Sequence, residues 1–495
     1  MISVNCFIGV DIGTTGIRAG IYNESFQLLG DGNGKSILIR EDDGGIYQKP
    51  EDIYTETVMA IREALGKSGI SPESVVAFSF DGQMAGIMGI DEHWNPVTPY
   101  DSWLDTRCSS ELDYIMATAR DKIIEKSGIV PSINHAPKIL WWKNKRPEVF
   151  ERISRFIQPA AWIAGLFCGL KAEKAFIDWT YLHFSGLADI EELSWSNELL
   201  EIFEIPLDKL PVIVSPFSVI GTLNREMAGV LGVPSGIPVA AGCGDAASCF
   251  LGAGGVKEGV AIDIGGTASV FSLTTNRMVV DYSALVYSSR AVSTNLWHVM
   301  SYINGGGQNL EWFVNNFARG TEFDRLNKEA EKLNPGCDGL VFVPHLEGRA
   351  YPPQPDMRGT WVGFTRKHNL YHFYRSILEG IGFEYLLYKN RIVELIPGIK
   401  VSEVRAVGGG AKSDLWNKIK ADILGVEYKT INREDIAILG QAFIGAKVSG
   451  VIEDVQEVVE KVIRIEKLFS PDGENHRLYT GLFEKYLKSL DLSLI

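Results

Sequence analysis

Two aspartates open the same phrase half a chain apart. Asp11 leads "DIGTT" after the apolar run "FIGV", and Asp263 leads "DIGGT" after "GVAI". A strand, a glycine turn and a second strand can aim successive backbone N–H groups at one anion, with threonine hydroxyls as further donors. A carboxylate just before such a turn, as Asp11 is, can hold Mg²⁺ through water, because that ion keeps waters and takes one or two carboxylates. Neither copy is a Walker A loop, since no lysine follows the glycines. One copy alone reads as an ordinary glycine-turn hairpin. Two copies, each opening a half of the chain, read as a paired grip on phosphate.

Three further stretches carry candidate chemistry. "AVGGGAKSDLW" (Ala406 to Trp416) places three glycines between a strand and a helix start, where a ligand can approach the backbone and meet a positive dipole end. "GCGDAAS" puts Asp245 between a strand end and a helix start. It reads equally as a helix N-cap, a setting that keeps the carboxylate ionised, and as a base accepting a proton from an attacking hydroxyl. "SFDGQMAG" to "SWLDTR" brings Gln83 and Met84 at a strand end together with Asp101, Trp103, Asp105 and Arg107. An exposed indole beside polar groups suits a sugar ring; a core Trp103 with a local Asp105–Arg107 ion pair is the other reading.

The elements that must position these residues alternate. "VVAFSF" and "IPVAAGCGD" read as strands, and "EDIYTETVMAIREALGKSG" has helical spacing with a glycine stop. The second half restarts with a strand-turn-strand at "GVAIDIGGTASVFSL". Helices follow at "GQNLEWFVNNFARG" and "YHFYRSILEGIGFEYLLYKNRIVEL", then the strand "EVRAVGGG" and the helix "SDLWNKIKADILG". The tail, "EDVQEVVEKVIRIEKLF" through "HRLYTGLFEKYLKSL", reads as helical. Alternation of this kind indicates α/β layering. Two related halves, 1–245 and 246–495, would leave a cleft between domains, a common setting for a small-molecule site.

The 495-residue chain is 45% hydrophobic and 22% charged, the composition of a well-packed globular protein. Its net charge of −14 argues against nucleic acid and against an anionic membrane surface. No apolar run is long enough to span a bilayer, and no basic leader precedes Asp11, so a cytoplasmic protein is expected. The six cysteines form no CxxC pair and are expected as buried thiols.

Together these residues resemble the FGGY family of carbohydrate kinases, over roughly residues 5 to 450 and in the family's order. "VDIGTTGIRA" looks like its first phosphate loop, "IDIGGTASV" its second, "VGGGAKSDLW" its adenosine loop and "GDAAS" its catalytic-base motif. "PHLEGRAYPPQPDMRGTWVGF" with "YRSILEGIGFE" looks like its C-terminal signature region. The resemblance implies a duplicated actin/hexokinase-like (ribonuclease H-like) α/β fold of two domains, in which a hydroxyl of a sugar or polyol is phosphorylated from Mg-ATP as the lobes close. It makes Asp245 the base. Asp11, Gly13, Thr14, Thr15 and Arg18 would surround the phosphates, facing Gly266 and Thr267, while Gly409, Gly410 and Ala411 would line the adenosine site. Asp11 and Asp245 would serve the metal, and Gln83, Met84, Trp103, Asp105 and Asp245 the sugar.

Gln83-Met84 and "SWLDTRC" most resemble xylulokinase-type members, which carry Gln-Met-His and Trp-x-Asp-x-Arg there. This chain has Ala85 in place of that histidine, and "INHAPKILWW" matches the N-terminal signature from Lys138 to Trp141 alone. His135 nearby reads as a packed loop residue or a substitute contact. The expected acceptor is a ketopentose such as xylulose or a related ketose or polyol. The alternatives are a kinase for gluconate, erythritol or an autoinducer and, in another class, an actin- or Hsp70-like ATPase. Expected partners are the small substrate and, at most, a second copy of the chain in a homodimer, with no nucleic acid and no membrane.

Overall fold

Both copies of the aspartate phrase fold as antiparallel hairpins. In the first, strand Cys6–Ile12 pairs with Gly16–Asn23; in the second, Val260–Gly265 pairs with Ser269–Thr275. The short apolar runs bury fully, and the glycines fill the turns between them. The computed structural model describes residues 5–293 and 295–494.

Each hairpin seeds a sheet, and the two sheets are built alike. In the first, the order is Leu28–Lys35, Gly16–Asn23, Cys6–Ile12, Val75–Gly82, Pro238–Ala240 and Val219–Thr222. The successive pairings are antiparallel, antiparallel, parallel, parallel and antiparallel. In the second, Trp297–Ile303, Ser269–Thr275, Val260–Gly265, Glu403–Val407, Tyr428–Ile431 and Ile465–Phe469 repeat that series of senses. The fold is thus a duplicated α/β architecture of mixed sheets layered with helices.

Two compact units carry these sheets. The first comprises Met1–Val256, Ser288–Leu296 and Asp435–Val462; the second comprises Lys257–Tyr287, Trp297–Glu434 and Ile463–Ile495. A single cut after residue 245 therefore does not describe the division. Helix Ile436–Val448, buried along most of its length, returns to the first unit, where it packs on helix Asp245–Gly252 and on strands Cys6–Ile12 and Val75–Gly82.

Close backbone approach shapes the first unit. Strand Leu28–Lys35 has glycine at every second position, and all three glycines face helix Pro50–Ser68. A Cβ on Gly30, Gly32 or Gly34 would lie 2.4, 1.9 or 2.5 Å from the carbonyl oxygen of Ala64, Ala60 or Glu56. Period two in the strand meets period four in the helix, so the two backbones touch without intervening side chains. Such a glycine-rich stretch carries no strand signal, and the sequence reading passes over it. The tail also differs from expectation: Val455–Val462 is helical, but Ile465–Phe469 is an exposed edge strand. Its "IEKLF", with Glu466 and Lys467 exposed on the rim, suits a charged sheet edge that a helical reading of charges overlooks.

In the second unit the longest helix, Leu370–Leu395, starts with a capping box made by Asn369 and His372 and is buried over most of its central turns. The six cysteines are present as thiols, four of them buried. Among the described residues no helix is long and apolar enough to cross a membrane.

Gly32→Ala should cost about 1–3 kcal/mol of stability through forced separation of strand and helix. Gly66→Ala, at an exposed helical site with nothing within 4 Å, should instead stabilise by about 0.5–1 kcal/mol. Urea denaturation of both variants checks this; equal effects would count against the backbone-contact account.

Candidate active site

In the first unit, three carboxylates gather at the ends of adjacent strands. Asp11 stands opposite Asp81 in the parallel register of Cys6–Ile12 with Val75–Gly82, and Cys243 stands opposite Asp81 on its other side. Two residues past Cys243, Asp245 begins helix Asp245–Gly252. Tyr181 fastens these ends by donating to the carbonyl oxygens of Gly82 and Cys243 (3.1 and 3.3 Å).

The chemistry of these acids follows from their burial. Burial pushes the Asp11 carboxyl up, against the pull of Arg18, which is opposite it in the hairpin. Asp81 is fully buried and raised well above the carboxylate range, by burial and then by the charge of Asp11. Burial, followed by Asp11, pushes Asp245 up to about 7. The expectation of an N-cap aspartate held ionised is therefore corrected. Gly244 is the N-cap, Asp245 is the first helical residue, and its one acceptor bond, from the Ala246 N–H at 2.7 Å, does not offset burial.

Around the first turn, the Gly13 N–H is used within the loop, donating to the Gly16 carbonyl (3.1 Å). Thr15 and Arg18 are exposed, and the Thr14 hydroxyl accepts a hydrogen bond from Trp103 Nε1 at 3.0 Å. Trp103 is 43% exposed, so its indole offers an open face anchored to the glycine turn. Met84 is buried against Gly244, where a Cβ would lie 2.4 Å from its terminal methyl. Gln83 donates to Gln48 Oε1 (2.6 Å), and its own Oε1 is buried without a partner.

Asp105 lies differently from an open sugar contact. It is buried; the Arg107 guanidinium grips both its oxygens (2.7–3.1 Å), and the backbone N–H groups of Arg107 and Ile46 add two more donors. Arg107 also bonds Asp101 (2.7 Å) and stacks 4.5 Å over Trp141. Through this cluster Asp105 shapes the loop that presents Trp103. His135 is packed, with Nε2 2.7 Å from the Met84 carbonyl oxygen, and so braces the Gln83–Met84 segment from behind.

The second unit carries the other glycine loops. Gly265, Gly266, Thr267, Gly409 and Gly410 line one cavity of about 440 Å³, together with Leu310, Phe323, Tyr374 and Trp416. A glycine rim with an aromatic and aliphatic wall fits phosphates at one end and a flat heterocycle at the other. Ala411 instead lines a neighbouring cavity of about 250 Å³. Phe323 and Tyr374 escaped the sequence reading because they sit on helices outside the quoted glycine stretches, whereas Trp416 closes one of those stretches. Asp263, the counterpart of Asp11, is buried, accepts from Tyr385 (2.8 Å) and is paired with Lys420, which lies under the Trp416 ring at 4.3 Å.

Among the described residues no three His, Cys, Asp or Glu groups are set to hold a metal ion by themselves. Asp81 and Asp11 share a side-chain hydrogen bond, and Ser248 also bonds Asp81, so the buried Asp81 is held as a neutral acid against its neighbour. Asp11 and Asp245 are each partly exposed, and a carboxylate pair that water can reach fits Mg²⁺ retaining most of its waters. Asp81 escaped the sequence reading, which passed straight to Gln83; its one available signal was a charged residue closing the apolar strand "VVAFSF".

Burial lowers His135 to about 4 from an ordinary value of 6.5. The unfolded chain then binds this proton below about pH 6.5 while the folded chain does not, so stability is full above that pH and falls as pH drops toward 4. His135→Gln should make the acid limb of a thermal-denaturation profile shallower between those values; an unaltered slope would remove His135 from the acid response.

The family model for the FGGY carbohydrate kinase N-terminal domain matches residues 6–252, and that for the C-terminal domain matches residues 263–448. The chain is 27% identical over 492 residues to a xylulose kinase of Bacillus subtilis (strain 168), covering 97% of this chain and 95% of the relative. It is 26% identical to a gluconokinase of Bacillus licheniformis, with 97% and 94% covered. A crystal structure of gluconate kinase from Lactobacillus acidophilus superimposes with a TM-score of 0.92 at 23% identity, over 99% of this chain and 98% of the other. The chain belongs to the FGGY family of carbohydrate kinases.

Proposed function

We propose that this sugar kinase transfers the terminal phosphoryl group of Mg-ATP to a hydroxyl of a small ketose, polyol or sugar acid. Asp245 carries the reading: a half-buried carboxyl, pushed up to about 7, at the head of a helix beside two further carboxylates. A base whose pKa lies near the working pH accepts a proton most effectively in the transition state. As the acceptor oxygen bonds to phosphorus, its proton passes to Asp245, and the bond from phosphorus to the bridging oxygen breaks, releasing ADP. The ion, when bound, supplies charge neutralisation for the phosphate oxygens.

In this reading the first unit presents the acceptor, with Trp103 as a stacking face and Gln83 Oε1 as an acceptor for a sugar hydroxyl. Thr14, Thr15 and Arg18 face the transferred phosphate. The second unit holds the nucleotide, with Gly266 and Thr267 toward the phosphates and Gly409 and Gly410 beside the adenosine. Closure of the two units on their ligands would exclude water from the transfer. The cytoplasm, with its supply of ATP, is the matching compartment.

Ala85 favours an acceptor other than xylulose within this reading. Where xylulokinase-type sequences carry histidine, this chain offers a methyl group, and gluconokinases stand beside xylulose kinases among the relatives. The test is ADP release measured across ketoses, polyols and aldonates. Release stimulated strongly by one of them is expected; release indifferent to all of them would favour an actin- or Hsp70-like ATPase.

Asp245→Asn should lower turnover by about 10²-fold or more while leaving ATP affinity nearly intact. A variant retaining half of the turnover would exclude Asp245 as the base. Ala85→His should shift kcat/KM toward D-xylulose by roughly tenfold, the scale of one desolvated polar contact. An unmodified enzyme that already prefers D-xylulose over the whole panel would overturn the inference from Ala85.

A further inference from the structure

We propose that Asn327, steered by the Tyr374 hydroxyl, reads the nucleotide base and selects adenine over guanine. The inference rests on the kinase reading, which gives the glycine cavity of the second unit to the nucleotide, and adds to it a residue outside every glycine motif.

The cavity of about 440 Å³ has a wall of mixed character. Trp416, Phe323, Leu310 and Leu378 offer apolar surface to a flat ring. Helix Phe323–Glu331 adds Asp324 and Asn327, three residues apart and so on one face. Other polar groups of the wall are already engaged: Lys412 is paired with Glu434 (2.9 Å), and the Ser413 hydroxyl caps helix Asp414–Leu424. Asn327 is half-buried and, among the described residues, its amide nitrogen has no hydrogen-bond partner.

What makes this amide a reader is that it cannot turn freely. Tyr374 is buried, at 1% exposure, and its hydroxyl donates to Asn327 Oδ1 at 2.8 Å. Burial, and then the charge of Asp324, pushes this phenol up, so it stays protonated and stays a donor. A donor there fixes the carbonyl end of the amide toward Tyr374 and leaves the NH₂ end for a ligand, while the carbonyl oxygen keeps a second lone pair. Asn327 thus presents an acceptor beside a donor, in a set order. Adenine carries the complement, its 6-amino donor beside a ring-nitrogen acceptor, and an asparagine amide meets both at once. Guanine in the same seat would set its O6 acceptor against the Asn327 oxygen, with the Asp324 carboxylate on the same wall adding to the repulsion.

The test is isothermal titration calorimetry on the full chain with ADP, GDP and an ADP analogue that lacks the 6-amino group. The parent should bind ADP about tenfold or more tighter than either of the others. Asn327→Leu should weaken ADP by a similar factor, leave GDP nearly unchanged and no longer distinguish ADP from the analogue. Tyr374→Phe keeps the ring but frees the amide to turn, so its preference for ADP over GDP should shrink. A merely structural role would instead weaken all three nucleotides alike. A parent that binds the three equally, or an Asn327→Leu variant that keeps the parent's ratios, overturns the proposal. Gly409→Leu tells which reading fails: Gly409 lines the cavity, and the nearest atom to a Cβ there, chain neighbours aside, is the Gly265 carbonyl oxygen at 3.9 Å. If Gly409→Leu loses ADP while Asn327→Leu keeps the ratios, the nucleotide cavity stands without Asn327 as its reader. If Gly409→Leu binds ADP as the parent does, or the parent binds none, both fall. Should Asn327→Leu not fold, Asn327→Ala takes its place. Should neither fold, parent crystals soaked with ADP decide, an adenine amino group within hydrogen-bond distance of Asn327 supporting the proposal and an adenine seated elsewhere overturning it.

Discussion

A carboxylate taken out of water must find a donor, a counter-charge or a proton. The two copies of Asp-Ile-Gly-x-Thr meet that demand in opposite ways. Asp263 is locked: Lys420 and Tyr385 satisfy it, and Trp416 covers the lysine. It holds a strand to a helix and keeps an aromatic wall in place beside the glycine cavity. Asp11 has no lysine to lock it; its hydrogen-bond neighbour is another acid, Asp81. One phrase thus serves as a rivet in the second unit and as reactive ground in the first. The asymmetry matters because a site that manages phosphate and metal needs charge it has not already spent.

The same economy explains why Asp105 and Trp103, two residues apart, behave differently. The carboxylate of Asp105 is consumed by Arg107 and a backbone N–H, while the indole of Trp103 stays 43% exposed. The polar cluster holds the loop, and the apolar face does the presenting. Packed cores commonly buy such precision for an exposed group beside them.

What was legible in the sequence were features written locally. The duplicated hairpins, the helix after "YQKP" with its glycine stop and the strand into "GCGD" all carry their signals within a dozen residues. What was illegible depends on partners distant in sequence. The glycine strand Leu28–Lys35 makes sense once helix Pro50–Ser68 lies on it, and edge strand Ile465–Phe469 once Tyr428–Ile431 is beside it. Asp81 drew no reading until the strand ladder set it against Asp11, and the shift of Asp245 toward neutrality needed the burial that a helix-start motif does not reveal. Phe323 and Tyr374 line the second-unit cavity from helices with no glycine signature.

The return of Asp435–Val462 to the first unit has a consequence for how the chain comes off the ribosome. Domains usually mature in order of synthesis, amino-terminal first. Here the opening sheet waits for helix Ile436–Val448, whose backbone lies so close to it that a Cβ on Gly9 would come within 2.3 Å of the Ile438 carbonyl oxygen. The second unit in turn waits for its own last segment, Ile463–Ile495. The first unit lacks a part until Asp435–Val462 has been made, so the nascent chain must keep its apolar strand Cys6–Ile12 from mispairing until then.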